Sequence, residues 1–175
     1  LTSRDPEPTP LRFIGGLFRN MMVHDFDMAR WLLGEEPVEL FAYGSALVDP
    51  AIGAMDDADT AIVLLRTRSG ALAQINNSRR AVYGYDQRVE AFGSTGMLRV
   101  ENRRETTLER SGAAFTRLDK IPYFFLERYP ESFAAELDHF LVVIEGRERP
   151  LISAEDGRRA LLLADAATQS FRSGR

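Results

Sequence analysis

The sequence predicts an α+β domain in which a large, mostly antiparallel sheet has helices packed on one face, in two layers. Three observations support this prediction. One helical pattern opens the chain, a run of short strand patterns separated by tight turns fills its middle, and two helical patterns close it. Strands that follow one another through tight turns pair antiparallel, and helices segregated to the two ends of the chain cover one face.

The first helix is predicted over about residues 16–33. The preceding segment, DPEPTP, is rich in proline, which fixes φ and removes amide donors, so a helix cannot begin there. Apolar residues then recur at helical spacing and form one stripe: Leu17, Met21, Met28 and Leu32. Gly34 follows in the position of a left-handed C-cap.

Six or seven strands are predicted in the middle of the chain. The first, VELFAYGSALV, is rich in β-branched and aromatic residues and ends at an acidic loop over residues 49–59. TAIVLLRT and ALAQINNSRR form a hairpin around the turn at residues 68–70. Two further pairs follow, within QRVEAFGSTGMLRVEN and between TTLER and AFTRL. Because TAIVLLRT is apolar on both faces, the face of the sheet without helices is expected to form a homo-oligomer.

Two closing helices are predicted, over about residues 130–145 and from Ser153 onward. The first carries an apolar face of Phe133, Leu137, Phe140, Leu141 and Ile144. The second begins with Ser153, and Asp156 three residues later completes a capping box.

Composition excludes several classes of function. Hydrophobic residues at 45% and charged residues at 27% are typical of globular proteins, and no stretch reaches the ~20 apolar residues of a membrane span. A net charge of -4 gives little attraction to phosphates, so no nucleic acid and no membrane are expected as partners. Without cysteine and with two histidines, no metal site is expected. The first residues lack a secretory signal, so a cytoplasmic location is expected.

One polar cluster stands out, in the stretch FRNMMVHDFDMAR: Asn20, His24, Asp25 and Asp27. On a helix, Asn20, His24 and Asp27 share one stripe. A histidine where a polar stripe meets an apolar one can act as a general base, with a neighbour fixing its tautomer. The alternative is a histidine that only caps or hydrogen-bonds within the domain, and spacing alone does not separate the two.

Other candidates are weaker. Tyr83 and Tyr85 lie among arginines in RRAVYGYDQR, where they could bind a polyol, but a loop of solvated charges is the alternative. Asp5 in SRDP follows a short strand and could contact a substrate, but an Asx-type turn before proline is the alternative. His139 is expected to be a packed or surface residue. The DDAD run at residues 56–59 is expected to be a solvated loop, because it lacks the ligand spacing of a calcium site.

The sequence lacks the Gly-x-Gly-x-x-Gly motif of dinucleotide-binding domains, so no Rossmann domain and no bound cofactor are expected in this chain. It also lacks the Gly-x-Ser-x-Gly elbow of the α/β-hydrolases. Because the chain opens at Leu1 inside a short strand pattern, a partner domain is expected upstream.

The stretch GGLFRNMMVHDFDMARWLLGEEP, taken whole, resembles the active-site helix of the glucose-fructose oxidoreductase / inositol dehydrogenase / MocA family, most closely that of the myo-inositol 2-dehydrogenases. VEAFGSTGMLRVEN is similar to the family's hairpin, and SRDP to the turn that leads into its substrate domain. SFAAELDHFLVVIEGRERPLISAEDGRRALLLADAATQS is similar to its closing helices. The resemblance covers nearly the whole chain.

The resemblance implies that residues 1–175 form the C-terminal substrate-binding and oligomerisation domain of a dehydrogenase. Its NAD or NADP would bind an N-terminal Rossmann domain outside this chain, and its substrate would be a cyclic polyol or sugar. His24 would accept the hydroxyl proton beside Asn20, and Asp5 and Tyr85 would contact the substrate. The family's catalytic lysine lies in a Glu-Lys-Pro motif of the first domain, which Lys120 does not match, so the isolated chain is expected to be inactive.

Asn20 departs from the family pattern, because inositol dehydrogenases carry an aspartate four residues before the histidine. An amide can hold the imidazole by a hydrogen bond, but it cannot offset the charge that forms when His24 takes a proton. Two alternatives therefore stay open. One is a non-catalytic family member that acts as a ligand sensor or assembly scaffold. The other is a stand-alone α+β hydrolase or binding module whose likeness to the family is only structural.

Overall fold

The helices and strands follow the predicted order over residues 15–175, which a computed structural model of the protein describes. A π-helical turn, Phe18–Met22, leads directly into helix α1, Val23–Leu33, which ends at Gly34 in the predicted left-handed cap. The strands are β1 (Pro37–Ser45), β2 (Thr60–Thr67), β3 (Leu72–Ser78), β4 (Val89–Gly93), β5 (Gly96–Val100), β6 (Glu109–Ser111) and β7 (Thr116–Leu118). The remaining helices are α2 (Pro50–Gly53), α3 (Phe125–Arg128), α4 (Pro130–Ile144) and α5 (Ala154–Ser173).

The fold class is confirmed as α+β, but the strands lie in three antiparallel sheets instead of one large sheet. One sheet has the order β1-β2-β3, and the other two are the hairpins β4-β5 and β6-β7. Main-chain amides in the segment between β3 and β4 form hydrogen bonds outside any strand pair. Tyr85 N–H donates to the Pro122 carbonyl at 2.8 Å, and Gln87 N–H donates to the Asn102 side chain at 2.8 Å. A segment whose amides are satisfied in this way cannot extend a ladder.

The described chain divides into two compact parts, residues 15–79 with 150–175 and residues 80–149. In the first part, α1 and α5 cover one face of the three-stranded sheet. Helix α5 approaches β1 closely because its buried stripe is made of small residues: Ala160, Ala164, Ala167 and Ser170. Gly44 of β1 permits the approach, because a Cβ there would meet a Phe171 ring carbon at 3.0 Å. This part therefore has the predicted two layers.

The π-helical turn changes which residues of the first helix are buried. Leu17 and Met21 lie in the core as predicted, but Met28 and Leu32 are each 40% exposed. A π turn contains one more residue than an α turn, so the downstream face is reached one position later. The core accordingly contains Ala29 in place of Met28, and the continuous buried stripe is Leu17, Phe18, Met21, Met22, Phe26 and Ala29.

The acidic loop between β1 and β2 is only partly the solvated segment that the sequence predicts, because residues 53–56 are exposed but Ala58 and Asp59 are buried. Asp59 is fully buried and accepts hydrogen bonds from the amides of Leu47, Val48 and Asp49 at 2.8–2.9 Å. Burial alone would raise the pKa of Asp59, but these hydrogen bonds outweigh it and lower the pKa. Asp57 accepts from Leu17 N–H at 3.0 Å, so the loop caps the first helix from 40 residues away.

The second part holds the two hairpins with α3 and α4. Helix α4, which carries Phe140, begins and ends as predicted, and none of its residues is buried. The predicted capping box of the last helix is confirmed in the first part, where Ser153 N–H donates to the Asp156 carboxylate at 2.9 Å and Asp156 N–H to Ser153 Oγ at 3.3 Å.

Candidate functional site

The helix that carries Asn20 and His24 presents them away from its buried side. Asn20 lies in the π-helical turn and is half-buried, and His24 lies in the first turn of α1 and is exposed. Their neighbours Met21, Met22 and Phe26 fill the core beneath. An isolated π turn inside an α-helix is often found at a functional site. The arrangement gives an accessible imidazole on a helix whose opposite side is fixed by packing.

Asp25, next to His24, connects this helix to the sheet. Asn77 Nδ2 donates to Asp25 Oδ2 at 2.8 Å, across 52 residues of sequence. Burial raises the pKa of Asp25, and the hydrogen bond from Asn77 opposes this rise by favouring the carboxylate. The helix turn that bears His24 is therefore bonded to β3 through its neighbour.

Asp27 has a partner that its spacing from His24 does not predict. Arg30 Nη1 donates to Asp27 Oδ1 at 2.9 Å. Arg30 is buried and also bonds Glu36 through Nε and Nη2, at 2.9 and 2.7 Å. The pKa of Glu36 falls to about 2, because the Arg30 hydrogen bonds outweigh the effect of burial. Asp27 thus belongs to an ion cluster that fixes the end of α1.

A second polar cluster lies in residues 80–149, around Asp86. Arg88 donates to both Asp86 oxygens at 2.8 and 2.9 Å, Asn102 donates at 2.5 Å, and the Tyr83 hydroxyl donates as well. Burial would raise the pKa of Asp86, but these donors hold it at about 2. The hydrogen bond from the Tyr83 hydroxyl to Asp86 raises the pKa of Tyr83. A surface cavity of about 760 Å³ lies beside Tyr83, Asp86 and Arg88. These charges are mutually paired, as in a structural cluster.

The predicted site residues fall in different parts of the chain. Tyr85 is buried in the second part of the chain, where its ring packs edge-on against Tyr129 with centroids 5.8 Å apart. Asn20 and His24 belong to the first part, and Asp5 lies outside the described residues. His139 is a partly exposed surface residue, as expected, with Nδ1 3.3 Å from a Glu148 oxygen.

Neither a metal-binding cluster nor a membrane-spanning helix occurs among residues 15–175. Among these residues, no group of three or more acidic or histidine side chains is placed to hold a metal ion. No helix in the same range is both long enough and apolar enough to cross a membrane.

Sequence reasoning missed two residues near the candidate site. Asn77 follows Ile75 on the core face of β3, and a polar residue that continues an apolar alternation is a signal that could have identified it. Asp57 caps the helix from a distant loop, and no spacing rule connects it to Leu17.

Comparisons with known proteins identify relatives of this chain. A family model described as the GFO/IDH/MocA C-terminal domain matches residues 2–99. The chain is 53% identical to the Myo-inositol 2-dehydrogenase of Thermotoga maritima over 174 aligned residues. The alignment covers 98% of this chain and 52% of that protein.

Solved structures show the same likeness. A probable dehydrogenase from Thermotoga maritima has a TM-score of 0.90 and 52% identity, over 99% of this chain and 54% of that one. The scyllo-inositol dehydrogenase of Lactobacillus casei with bound NAD(H) and scyllo-inositol has a TM-score of 0.84 and 26% identity, over 99% of this chain and 53% of that one. The chain thus spans about half the length of these relatives. The family model and the shared fold together show that the chain belongs to the GFO/IDH/MocA family and matches its C-terminal domain.

Proposed function

We propose that this chain is the substrate-binding and oligomerisation domain of an NAD(P)-dependent dehydrogenase that oxidises a ring hydroxyl of a cyclic polyol or sugar, with a myo-inositol-like substrate. The observation that carries the proposal is His24, an exposed imidazole on a helix that is fixed by its core packing and by the Asp25–Asn77 hydrogen bond. A similar protein over nearly the whole chain is a myo-inositol 2-dehydrogenase.

His24 would act as the general base. Oxidation of a secondary alcohol removes the hydroxyl proton, and a positioned imidazole can accept it near neutral pH. Asn20, one helical turn earlier, would hold or orient the imidazole through its amide. Asp5 and Tyr85 remain the proposed substrate contacts from the family resemblance, since either an acid or a phenol can hydrogen-bond a polyol hydroxyl.

NAD or NADP would be held by another part of the protein. Every strand pair in residues 15–175 is antiparallel, so this range contains no parallel strand–helix–strand unit that presents a helix N-terminus to a pyrophosphate. The described residues do not fit a dinucleotide site. We therefore expect calorimetric titration of residues 1–175 with NAD to give no saturable heat, and a micromolar stoichiometric complex would contradict this.

The proposal includes the cytoplasmic location expected from the sequence and a homo-oligomer formed through the open face of the three-stranded sheet. That face carries exposed apolar side chains, with Tyr43 69%, Ile62 46%, Leu64 51% and Leu72 73% accessible. An apolar sheet face opposite the one that α1 and α5 cover is typical of an interface between copies.

The experiment compares two histidines of the full-length protein. His24→Ala should lower kcat for NAD-dependent oxidation of myo-inositol or scyllo-inositol by about 10²- to 10⁴-fold, the range of a general base. His139→Ala is the matched control and should leave kcat unchanged, because His139 lies on α4 beside Glu148. Equal, wild-type rates for both variants would refute the assignment of His24.

Asn20 favours a second function, that of a non-catalytic ligand-binding or assembly scaffold. It removes the carboxylate that the family pattern places beside the histidine, and an amide does not offset an imidazolium. If the full-length protein binds a cyclic polyol but does not oxidise it with either NAD or NADP, this function replaces the first. The third possibility, an unrelated module with only structural likeness, conflicts with 53% identity over 174 residues.

A further inference from the structure

We propose that Asp25 and Asn77 are a positioning pair: their hydrogen bond fixes the rotation of α1 about its axis and so holds the His24 imidazole in place for proton transfer. The inference rests on the proposed function, because it gives His24 a partner for the same reaction. Neither residue needs to touch the substrate, so each would act through His24.

The strand side of the pair is set by the register of the sheet. Asn77 lies opposite Ala61, which is buried, and follows Ile75 on the same face of β3. That face packs against the helices, so the Asn77 side-chain amide lies on a face that is otherwise mostly apolar. A polar group there costs free energy unless it is hydrogen-bonded, and Asp25 is the acceptor it meets at 2.8 Å.

The helix side is set by the direction of successive side chains. Consecutive residues on an α-helix point about 100° apart, so Asp25 can face the sheet while His24 faces solvent. A bond from Asp25 to a rigid strand therefore determines where the adjacent side chain points. The π turn immediately before it buries Phe18, Met21 and Met22 in the core, so the Asp25–Asn77 bond adds a polar constraint next to an apolar one.

Other polar contacts hold the helix on either side of this turn, among them the bond from Arg19 to Asp165 of α5. Asp57 accepts from Leu17 N–H at the start, and Arg30 bonds Glu36 near the end. The Asp25–Asn77 bond lies between them, one residue from His24. Burial raises the pKa of Asp25, and the amide favours the ionised carboxylate, which is the better acceptor for this bond.

The first test uses the kinetics of the full-length protein with myo-inositol and NAD. Asp25→Ala and Asn77→Ala should each lower kcat by about 10- to 100-fold with KM changed less than about threefold, because a displacement near 1 Å can cost on the order of 10²-fold. Asp138→Ala is the matched control, an exposed aspartate on α4, and should keep the wild-type kcat.

The second test exchanges the two partners. In the double variant Asp25→Asn with Asn77→Asp, the amide is on the helix and the carboxylate on the strand, so the hydrogen bond is kept and the charge is moved. We expect kcat to recover to within about fivefold of the wild type. A double variant that is folded but as slow as the single variants would overturn the proposal, because the charge of Asp25 and not its bond would then matter.

The third test reads the position of His24 without any turnover. The ¹H–¹³C signals of the His24 imidazole should shift or broaden in Asp25→Ala and in Asn77→Ala, and stay unchanged in Asp138→Ala. Urea unfolding shows that each variant is folded under the conditions used. An unchanged His24 signal in both single variants would refute the positioning pair even if the protein oxidises no polyol, so this failure is distinct from failure of the proposed function.

Discussion

Arg30 and Glu36 form a bidentate ion pair, in which Arg30 Nε donates to Glu36 Oε2 at 2.9 Å and Arg30 Nη2 donates to Glu36 Oε1 at 2.7 Å. Arg30 also donates to the main-chain carbonyl of Asp156 at 3.1 Å, and Arg159 donates to Glu36 Oε1 at 2.8 Å. The cluster therefore joins HDFDMARWLLG to EDGRRAL, which lie within two of the stretches that carry the family resemblance.

The Arg30 cluster should make a measurable contribution to stability. We expect Arg30→Ala to lower the free energy of unfolding by about 2 kcal/mol, because it removes a buried fork from three carboxylates. Arg30→Lys should recover only part of this, since an ammonium cannot make the two parallel bonds. Urea unfolding measures both. Arg158→Ala, which breaks an exposed pair with Glu155, is the control and should have a much smaller effect.

Acid should weaken the same cluster in a defined pH window. The pKa of Glu36 is lowered from its ordinary 4.5 to about 2. A carboxyl whose pKa is lower in the folded than in the unfolded state stabilises the fold when it is ionised, so its contribution is complete above 4.5 and is lost as the pH falls toward 2. Urea midpoints of the wild type and Glu36→Gln should therefore differ at pH 6 and converge near pH 2. A constant difference across this range would exclude the linkage.

Replacing Asn20 should separate an active dehydrogenase from a scaffold. In the full-length protein, Asn20→Asp is expected to raise kcat for polyol oxidation by on the order of ten- to a thousandfold, because a carboxylate stabilises the imidazolium that His24 becomes. The rising limb of the pH–rate profile should move to higher pH for the same reason. Steady-state kinetics from pH 6 to 10 measure both effects. If Asn20→Asp changes neither and His24→Ala is also harmless, His24 has a structural role.

The open sheet face should control assembly. Leu64→Glu places a charge in the middle of the exposed apolar face of β2, and burying it between two copies would be costly, so sedimentation velocity should show a shift from oligomer to smaller species. Met28→Glu is the control, because it places the same charge on α1, which covers the opposite face. A wild-type protein that stays monomeric at high concentration, or a Leu64→Glu variant that still assembles, would contradict the proposed interface.

Local sequence patterns predicted most of the elements. The cap at Gly34, the hairpin of β2 and β3 and the capping box at Ser153 are all confirmed, because each depends on residues within a few positions of one another. The short helices α2 and α3 were not predicted, since each has four residues and no periodic pattern of its own.

The sequence by itself determined the order of helices and strands, the family and the placement of Asn20 and His24 on one helix. Only the tertiary structure decided that the strands form three sheets, that Asp59 is buried and that Asp27 bonds Arg30. It alone brought Asn77 to Asp25, 52 residues away. The reason is physical. Spacing along one helix or strand fixes which of its residues share a face. The residue that a side chain meets on another element depends on strand register, on the π turn that shifts the buried stripe by one residue, and on which charged groups compete for it.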